Sequence, residues 1–520
     1  MPRSIVVLGG GISGLSAAYY LSRLVPQAHI RLIESNKRAG GFIKTQQVND
    51  HLIFEAGPRT LRPHGTSGTV LLDMIKDLDL SPLLVNIPKS HPSAQHRYIE
   101  YHGQINQLPS GLADMLLHSP PIMDSVITAG MREPFLARAS TTKDESLYNF
   151  MERRFNEHTA LNLMGAMAHG IYAGDAKQLS VHSTFPILAA CEQEYGSVVL
   201  GMLSGKLSVE SPRERQLADA CRAKDPEWFK QMQQSSVLGF LPGLGALPSR
   251  LTQFLSSQPN VSMQLGETVS RLDGQSSHQI EITTSQGQIY HADHIVSTLP
   301  SHALARISMP TTTSLPHLTH NPSADVALVN LAYEKCKVKP GLDGFGFLTP
   351  HADTMPPSQF PGLLGMIFDS NSLGVQDQDS NMVRFTAMIG GADWNLAFGS
   401  LHDNDAISSK ALTMATAALS KYLEIHESPA HYHCRILRQC IPQYLVGHRQ
   451  RMNELHAALQ HSFGHTMSVT GASYLGVSVP DCIKHSRMLI EDLVDTGALG
   501  SKQAVITGLE KVTLPMYYKL

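Results

Sequence analysis

The sequence predicts an α/β fold in which a parallel, helix-covered sheet is interrupted by a mostly helical insertion and by a second, mixed sheet. Three observations predict it. "IVVLGGGISGLSAAYYL" at residues 5–21 runs from a short apolar strand through four glycines into a helical pattern. Helical spacing dominates from about residue 110 to 235, and strand periodicity resumes after residue 258. The stretch "TMSVTGASYLGVSVPDCIKHSRMLIEDL" then repeats the order strand, glycine turn, helix, so the end of the chain returns to the domain that opens it.

Taken in order, Ile5, Val6, Val7 and Leu8 form a buried parallel strand. Gly9 allows the sharp turn, Gly11 lets the backbone approach a pyrophosphate, and Gly14 lets the helix pack close to the strand; Gly10, Ile12 and Ser13 complete the loop. The helix N-terminus there faces an anion. "HIRLIES" is a second strand ending at Glu34 and Ser35, where a carboxylate can accept hydrogen bonds from a ribose diol. These residues predict a dinucleotide, NAD or FAD. "KRAGGFIKT", with Arg38, Gly40, Gly41 and Phe42, and "FEAGPRTLRP", with Gly57, Pro58, Arg59 and Thr60, favour FAD. Such glycines let the chain pass close to a flavin diphosphate, while a basic side chain supplies countercharge.

Leu147, Phe150, Met151 and Phe155 recur at helical spacing in the insertion, and its methionines read as core. "NVSMQLGETVSRL" and "HQIEITTSQGQIYHADHIVSTLP" predict hairpin-like strands around the Gln286–Gly287 turn, and Ala292 to Pro300 a buried strand leading back to the nucleotide domain. Between 325 and 390, "DVALVNLAYEK", "GFGFLTP", "LLGMIFDS" and "RFTAMIGG" predict successive strands of a substrate sheet. The expected organisation is a Rossmann-type FAD-binding domain at 1–90, 236–305 and 431–520, an inserted helical domain at 91–235, and an inserted mixed-sheet substrate domain at 306–430. Val477, Ser478 and Val479 open the closing helix with amides toward a flavin pyrimidine, and Gly471 and Gly476 leave room for that approach.

Composition excludes several functions. A chain of 520 residues exceeds one core and predicts two or three domains. Lys plus Arg total 41 against 44 for Asp plus Glu, a net charge of -3, with no basic run, so no nucleic-acid surface is expected. The 6 cysteines show neither C-x-x-C nor obvious disulfide spacing, which fits a reducing compartment or simply buried thiols, and all read as structural. "HYHC" at 431–434 alternates like a strand edge without an accompanying acid, so no metal is expected. No cleaved signal peptide is expected, because the fingerprint strand begins at Ile5. No apolar run reaches the roughly eighteen residues a spanning helix needs. The stretch 108–131 mixes Leu, Met and Ile with Pro and few charges; it reads equally as a face lying on a membrane or as a buried helical hairpin.

Several stretches together resemble the protoporphyrinogen oxidase family: "GGGISGLSAAYYLSR", "FEAGPRTLRP", "SAQHRYI", "HGIYAGDAKQLSVHSTFP", "GFGFLTP", "LLGMIFDS", "MIGG", "IPQYLVGH" and "GASYLGVSVPDCI". The resemblance implies FAD-dependent, oxygen-consuming oxidation of protoporphyrinogen IX to protoporphyrin IX with release of hydrogen peroxide, the penultimate step of haem biosynthesis. It implies a propionate-binding arginine at Arg97, apolar pocket walls at Phe345, Leu348, Ile367 and Met388, a Gly170 carbonyl facing the pyrrole N–H groups, and Val269 beside the FAD. It names no catalytic side chain, so catalysis rests on orientation and exclusion of water. It further implies a peripheral, monotopic association with the mitochondrial inner membrane, a homodimer, and handover of product to ferrochelatase. The sequence departs from the family pattern at "SSVLGFLPGLGALPSRL", 235–251, at His169, where many relatives carry Arg, and at Arg449. Two rivals share the fold. A flavin amine oxidase or carotenoid-type desaturase predicts an aromatic cage and often a cysteine in the terminal turn, whereas Cys482 lies past that turn. A non-catalytic, GTPase-escort-like binding protein predicts a degraded fingerprint, and here it is intact.

Overall fold

The computed structural model describes residues 3–111, 114, 120–138, 143–274, 279–310, 314–338, 343–351, 358–377, 381–500 and 504–520. The apolar run Ser4–Leu8 lies at the centre of a five-stranded sheet, between His29–Glu34 and His294–Ser297, with Val261–Leu265 and Met467–Val469 at the edges. Every pairing in it is parallel. The chain fills one side of the first strand before it fills the other, which opens a crevice at the carboxyl end of that strand. The first helix, Ile12–Leu24, packs on the closing helix Val479–Asp495, and Ser486 Oγ donates to the Ser13 carbonyl at 3.0 Å. The end of the chain thus returns to its beginning.

A second sheet has seven strands in the order His431–Pro442, Ser323–Glu334, Met382–Gly390, Leu363–Ile367, Gly346–Leu348, Arg97–Tyr101, Gln104–Leu108. Its inner strand Ser323–Glu334 is apolar and buried almost throughout, as a strand covered on both faces must be. On one face Ala327, Val329, Leu331, Phe385 and Ala387 pack against Ile407, Ala411 and Ala415 of the helix Asn404–Leu423. The other face meets the nucleotide domain, where Asn330 Nδ2 donates to the Glu55 carbonyl at 3.1 Å and Arg384 Nη1 to the Ile53 carbonyl at 3.1 Å. A third core holds the helical insertion together through Leu147, Phe150, Ala168, Leu179 and Ala189. No helix among the described residues is long and apolar enough to cross a membrane.

The structure moves four boundaries. The hairpin Arg97–Tyr101 and Gln104–Leu108 belongs to the seven-stranded sheet, not to the helical insertion, because Tyr98 enters that sheet's core. The strand His431–Pro442 is an edge of the same sheet, not part of the nucleotide domain. The helices Pro212–Ala223 and Pro226–Met232 bury Cys221, Phe229 and Met232 in the nucleotide-domain core. Val261–Leu265 joins the parallel sheet, so the hairpin strands around Gly287 are Val269–Asp273, Ile280–Thr284 and Ile289–Ala292 alone. Of the stretch 108–131, residues 112, 113 and 115–119 lie outside the described residues; Asp124–Arg132 is a helix.

Candidate active site

Each glycine of the first turn answers to a neighbour. Gly9 has φ +98°, a conformation that suits only glycine, and a Cβ on Gly14 would stand 1.9 Å from the Gly9 carbonyl oxygen. A Cβ on Gly11, by contrast, would meet nothing within 4 Å, so the space above the turn is open. The first helix begins there with neither a side-chain cap nor an acid in its first turn, which leaves its N-terminal dipole available to an anion. Glu34, buried at the end of its strand, accepts from the Gly10 amide at 2.7 Å and from the Asn36 amide at 2.8 Å, with acceptor capacity left for a diol. Ser35 Oγ donates to Glu34 at 3.3 Å. Val269 starts its strand two residues after Glu267, whose amide bonds the Glu34 carbonyl at 3.0 Å.

The second glycine loop closes on the first: a Cβ on Gly41 would lie 3.1 Å from Gly11 Cα, and one on Gly57 2.1 Å from the Phe42 carbonyl. Arg38 donates to the carbonyls of Ala39, Gly41 and Ile43, and so ties this loop together beside its charge. Gly471, at φ +121°, lies close under the first helix: a Cβ there would stand 3.5 Å from Ser13 Oγ. Gly476 differs from expectation, because its missing Cβ makes room for Asp481 and not for a ligand. Val477 precedes the cap Ser478, whose hydroxyl accepts from the Asp481 amide as the helix opens at Val479.

Facing this turn, the seven-stranded sheet presents two rows of paired residues on one face. One row is Leu348, Gly365, Met388 and Leu328; the next is Gly346, Ile367, Thr386 and Asn330. Leu348, Ile367 and Met388 are therefore neighbours on one half-buried apolar wall, and the glycines among them add no side chain. Gly170, inside the helix Gly165–Tyr172, crosses this wall so closely that a Cβ there would stand 2.3 Å from Leu348 Cδ2. Helix packing thus accounts for that glycine. At the rim Arg97 Cζ lies 5.8 Å from the centre of the Phe345 ring, and Arg97 Nη1 donates to the Ser93 carbonyl at 3.0 Å. His169 is buried behind the wall with Nδ1 3.1 Å from the Thr349 carbonyl, and burial pushes its pKa down.

A polar network whose members lie far apart in the sequence joins wall and turn. Arg59 Nη1 pairs with Asp369 at 2.8 Å, Thr386 Oγ1 donates to the other Asp369 oxygen at 2.6 Å, and Asn330 Nδ2 donates to Thr386 at 2.8 Å. Burial raises the Glu55 carboxyl to about 7 beside them, against hydrogen bonds from the Leu244 amide and Thr45. Arg59 Nη2 and Asn330 Oδ1 remain buried without a partner, a cost of roughly 1–3 kcal/mol each unless a bound polar group fills them. The available signal was Asn330 itself, a lone amide in the apolar run "DVALVNLAYEK".

The family model for flavin containing amine oxidoreductases matches residues 12–487. The protoporphyrinogen oxidase of Schizosaccharomyces pombe is 33% identical over 92% of this chain and 96% of its own, and that of Homo sapiens 33% identical over 95% and 99%. The chain belongs to the protoporphyrinogen oxidase family of flavin-containing oxidoreductases. A crystal structure from Exiguobacterium sp., ascribed to a protoporphyrinogen oxidase, shares the fold with a TM-score of 0.73 and 21% identity, covering 95% of this chain and 99% of that one. As in this family, the cofactor is FAD. The open space over Gly11, the uncapped helix and the two orphaned polar atoms fit a long, charged ligand with a polar ring edge. Among the described residues no cluster of three His, Cys, Asp or Glu side chains is placed to hold a metal ion.

Proposed function

We propose that the chain oxidises protoporphyrinogen IX to protoporphyrin IX, consuming dioxygen and releasing hydrogen peroxide, in haem biosynthesis. The observation that carries this reading is the apolar wall of Leu348, Ile367 and Met388, which faces the nucleotide turn with Arg97 at its rim. A flat, greasy macrocycle with carboxylates at one edge matches both features. Bound FAD supplies a two-electron acceptor that dioxygen re-oxidises.

The residues of the chain bind and orient. Gly11, Ile12, Ser13 and Gly14 offer backbone amides to the diphosphate, Gly9 and Gly10 shape the turn beneath it with their own amides donated to the Ile33 carbonyl and to Glu34, Glu34 and Ser35 offer the ribose contact, and Val269 an apolar side to the adenine end. Gly41, Phe42, Gly57, Pro58, Arg59 and Thr60 line the flavin half, where Arg59 Nη2 donates; Gly471 and Val477 to Val479 cover it, and Arg38 holds the loop. Arg97 fixes a propionate, Phe345, Leu348, Ile367 and Met388 exclude water, and the Gly170 carbonyl faces the pyrrole N–H groups. No side chain is assigned as a base, so orientation and a dry cleft carry the rate.

The reading extends to a homodimer on the mitochondrial inner membrane that hands product to ferrochelatase. Exposed Met131, Phe135, Leu200, Met202 and Leu203, on adjacent elements of the helical insertion, support the membrane part. Resemblance to eukaryotic relatives supports the rest. Mixing purified protein with protoporphyrinogen IX in air tests the activity: porphyrin fluorescence and peroxide rise together if the reading holds. Absence of both from a folded, yellow preparation refutes it.

A further inference from the structure

Arg97 does not stand alone at the mouth of the cleft. Arg62 follows Leu61, which bridges Leu238, and is exposed just ahead of the helix Gly65–Asp77. The strand Leu84–Pro88 pairs with Ser235–Phe240 beside that bridge and leads into the short helix Pro92–Gln95, whose Ser93 carbonyl holds the Arg97 guanidinium. His64, two residues past Arg62, bonds the Ser235 backbone and feels both Lys89 and Arg62. Arg62 and Arg97 therefore share one rim.

The Arg62 charge lies close enough to act on Arg97. Burial first, and then the Arg62 charge, hold Arg97 below its ordinary value. Among the described residues neither is paired with a carboxylate, and Arg62 makes no side-chain hydrogen bond. Like charges placed together without an acid are unfavourable until an anion joins them. A guanidinium presents a planar fork that matches a carboxylate and keeps its charge at every working pH. The tetrapyrrole substrate carries two propionates on neighbouring pyrroles, one more carboxylate than Arg97 alone can grip.

Building on the porphyrinogen reading above, we propose that Arg62 is the second carboxylate anchor of the cleft: Arg62 and Arg97 each hold one propionate, and together they select tetrapyrroles with two neighbouring carboxylates. The wall sets the depth of the macrocycle and the pair of arginines sets its rotation in the plane. Arg62 touches no reacting atom and acts by positioning.

The test uses the holoenzyme with protoporphyrin IX and its dimethyl ester as fluorescent probes, and protoporphyrinogen IX for turnover. R62Q is expected to weaken binding of the diacid about tenfold while leaving the diester nearly unchanged, to raise KM by a similar factor, and to keep kcat within about twofold. R62K should recover part of the loss, and thermal unfolding of R62Q should match the wild type because Arg62 is exposed. In the double variant R62Q/R97Q diacid and diester should bind alike. R62Q binding the diacid as the wild type does, or losing both probes equally, overturns the assignment. So does K89Q producing the same loss, which would mark a general positive field. If the wild type turns over normally and R62Q is indistinguishable from it, only the anchor fails; if the wild type neither binds the diacid nor oxidises the porphyrinogen, the functional reading fails with it.

Discussion

Arg59 and Asp369 form an ion pair whose side chains are each only 6% exposed, between the nucleotide turn and the inner face of the substrate sheet. Removing one partner leaves a buried charge uncompensated, so D369A should destabilise the protein by about 3–5 kcal/mol in urea unfolding and weaken retention of the flavin. A variant that unfolds like the wild type would show that the pair carries no such weight. Arg97 belongs to a different class of residue, exposed and held by one carbonyl bond. R97A should raise KM far more than it lowers kcat in steady-state kinetics; equal losses would mean that this side chain does more than hold a propionate. The motif at 93–99 made Arg97 legible, whereas Asp369 was not, because its partner Arg59 lies 310 residues away in the chain.

At the scale of elements, the glycine turn was legible because each glycine answers a local steric demand that spacing alone displays. Gly14 is the sharpest case: G14A drives a Cβ into the Gly9 carbonyl and should yield protein that purifies without yellow colour, as absorbance will record. The hairpin 97–108 and the strand 431–442 were not legible as parts of the substrate sheet, since five-residue and twelve-residue strands with distant partners carry no signal of register. Buried histidines at element junctions give a pH dependence. His448 donates from Nε2 to the Tyr474 carbonyl at 2.8 Å and stands 2.7 Å from Asn321 at Nδ1, and burial pushes its pKa from 6.5 down to about 4. Because the folded value lies below the unfolded one, its contribution is complete above pH 6.5 and is lost as pH falls toward 4. His294 behaves likewise. Stability should therefore decline across that window, by at most about 1.4 kcal/mol per pH unit for each, and H448Q should flatten the slope in urea titrations. In the helical insertion, F135S/L203S should reduce co-flotation with anionic vesicles if the exposed apolar side chains meet lipid, and unaltered flotation would remove them from that role.

Across the whole molecule, three cores meet around one crevice: the parallel sheet supplies the turn, the seven-stranded sheet the apolar wall, and the helical insertion the helix that lies over Leu348. Alternating and helical periodicities announced this α/β composition and its insertions, because each element's pattern follows from which faces it buries. What periodicity does not encode is how the wall's two rows align, since cross-strand register is fixed only once the sheet assembles. In the working enzyme this crevice sets a porphyrinogen against the bound flavin. Anaerobic mixing of the yellow protein with protoporphyrinogen IX, followed at the flavin absorbance, reads that encounter without dioxygen. Rapid bleaching is expected with that compound and negligible bleaching with a simple amine; equal rates for the two, or faster bleaching by the amine, would rule out a porphyrinogen site at the flavin.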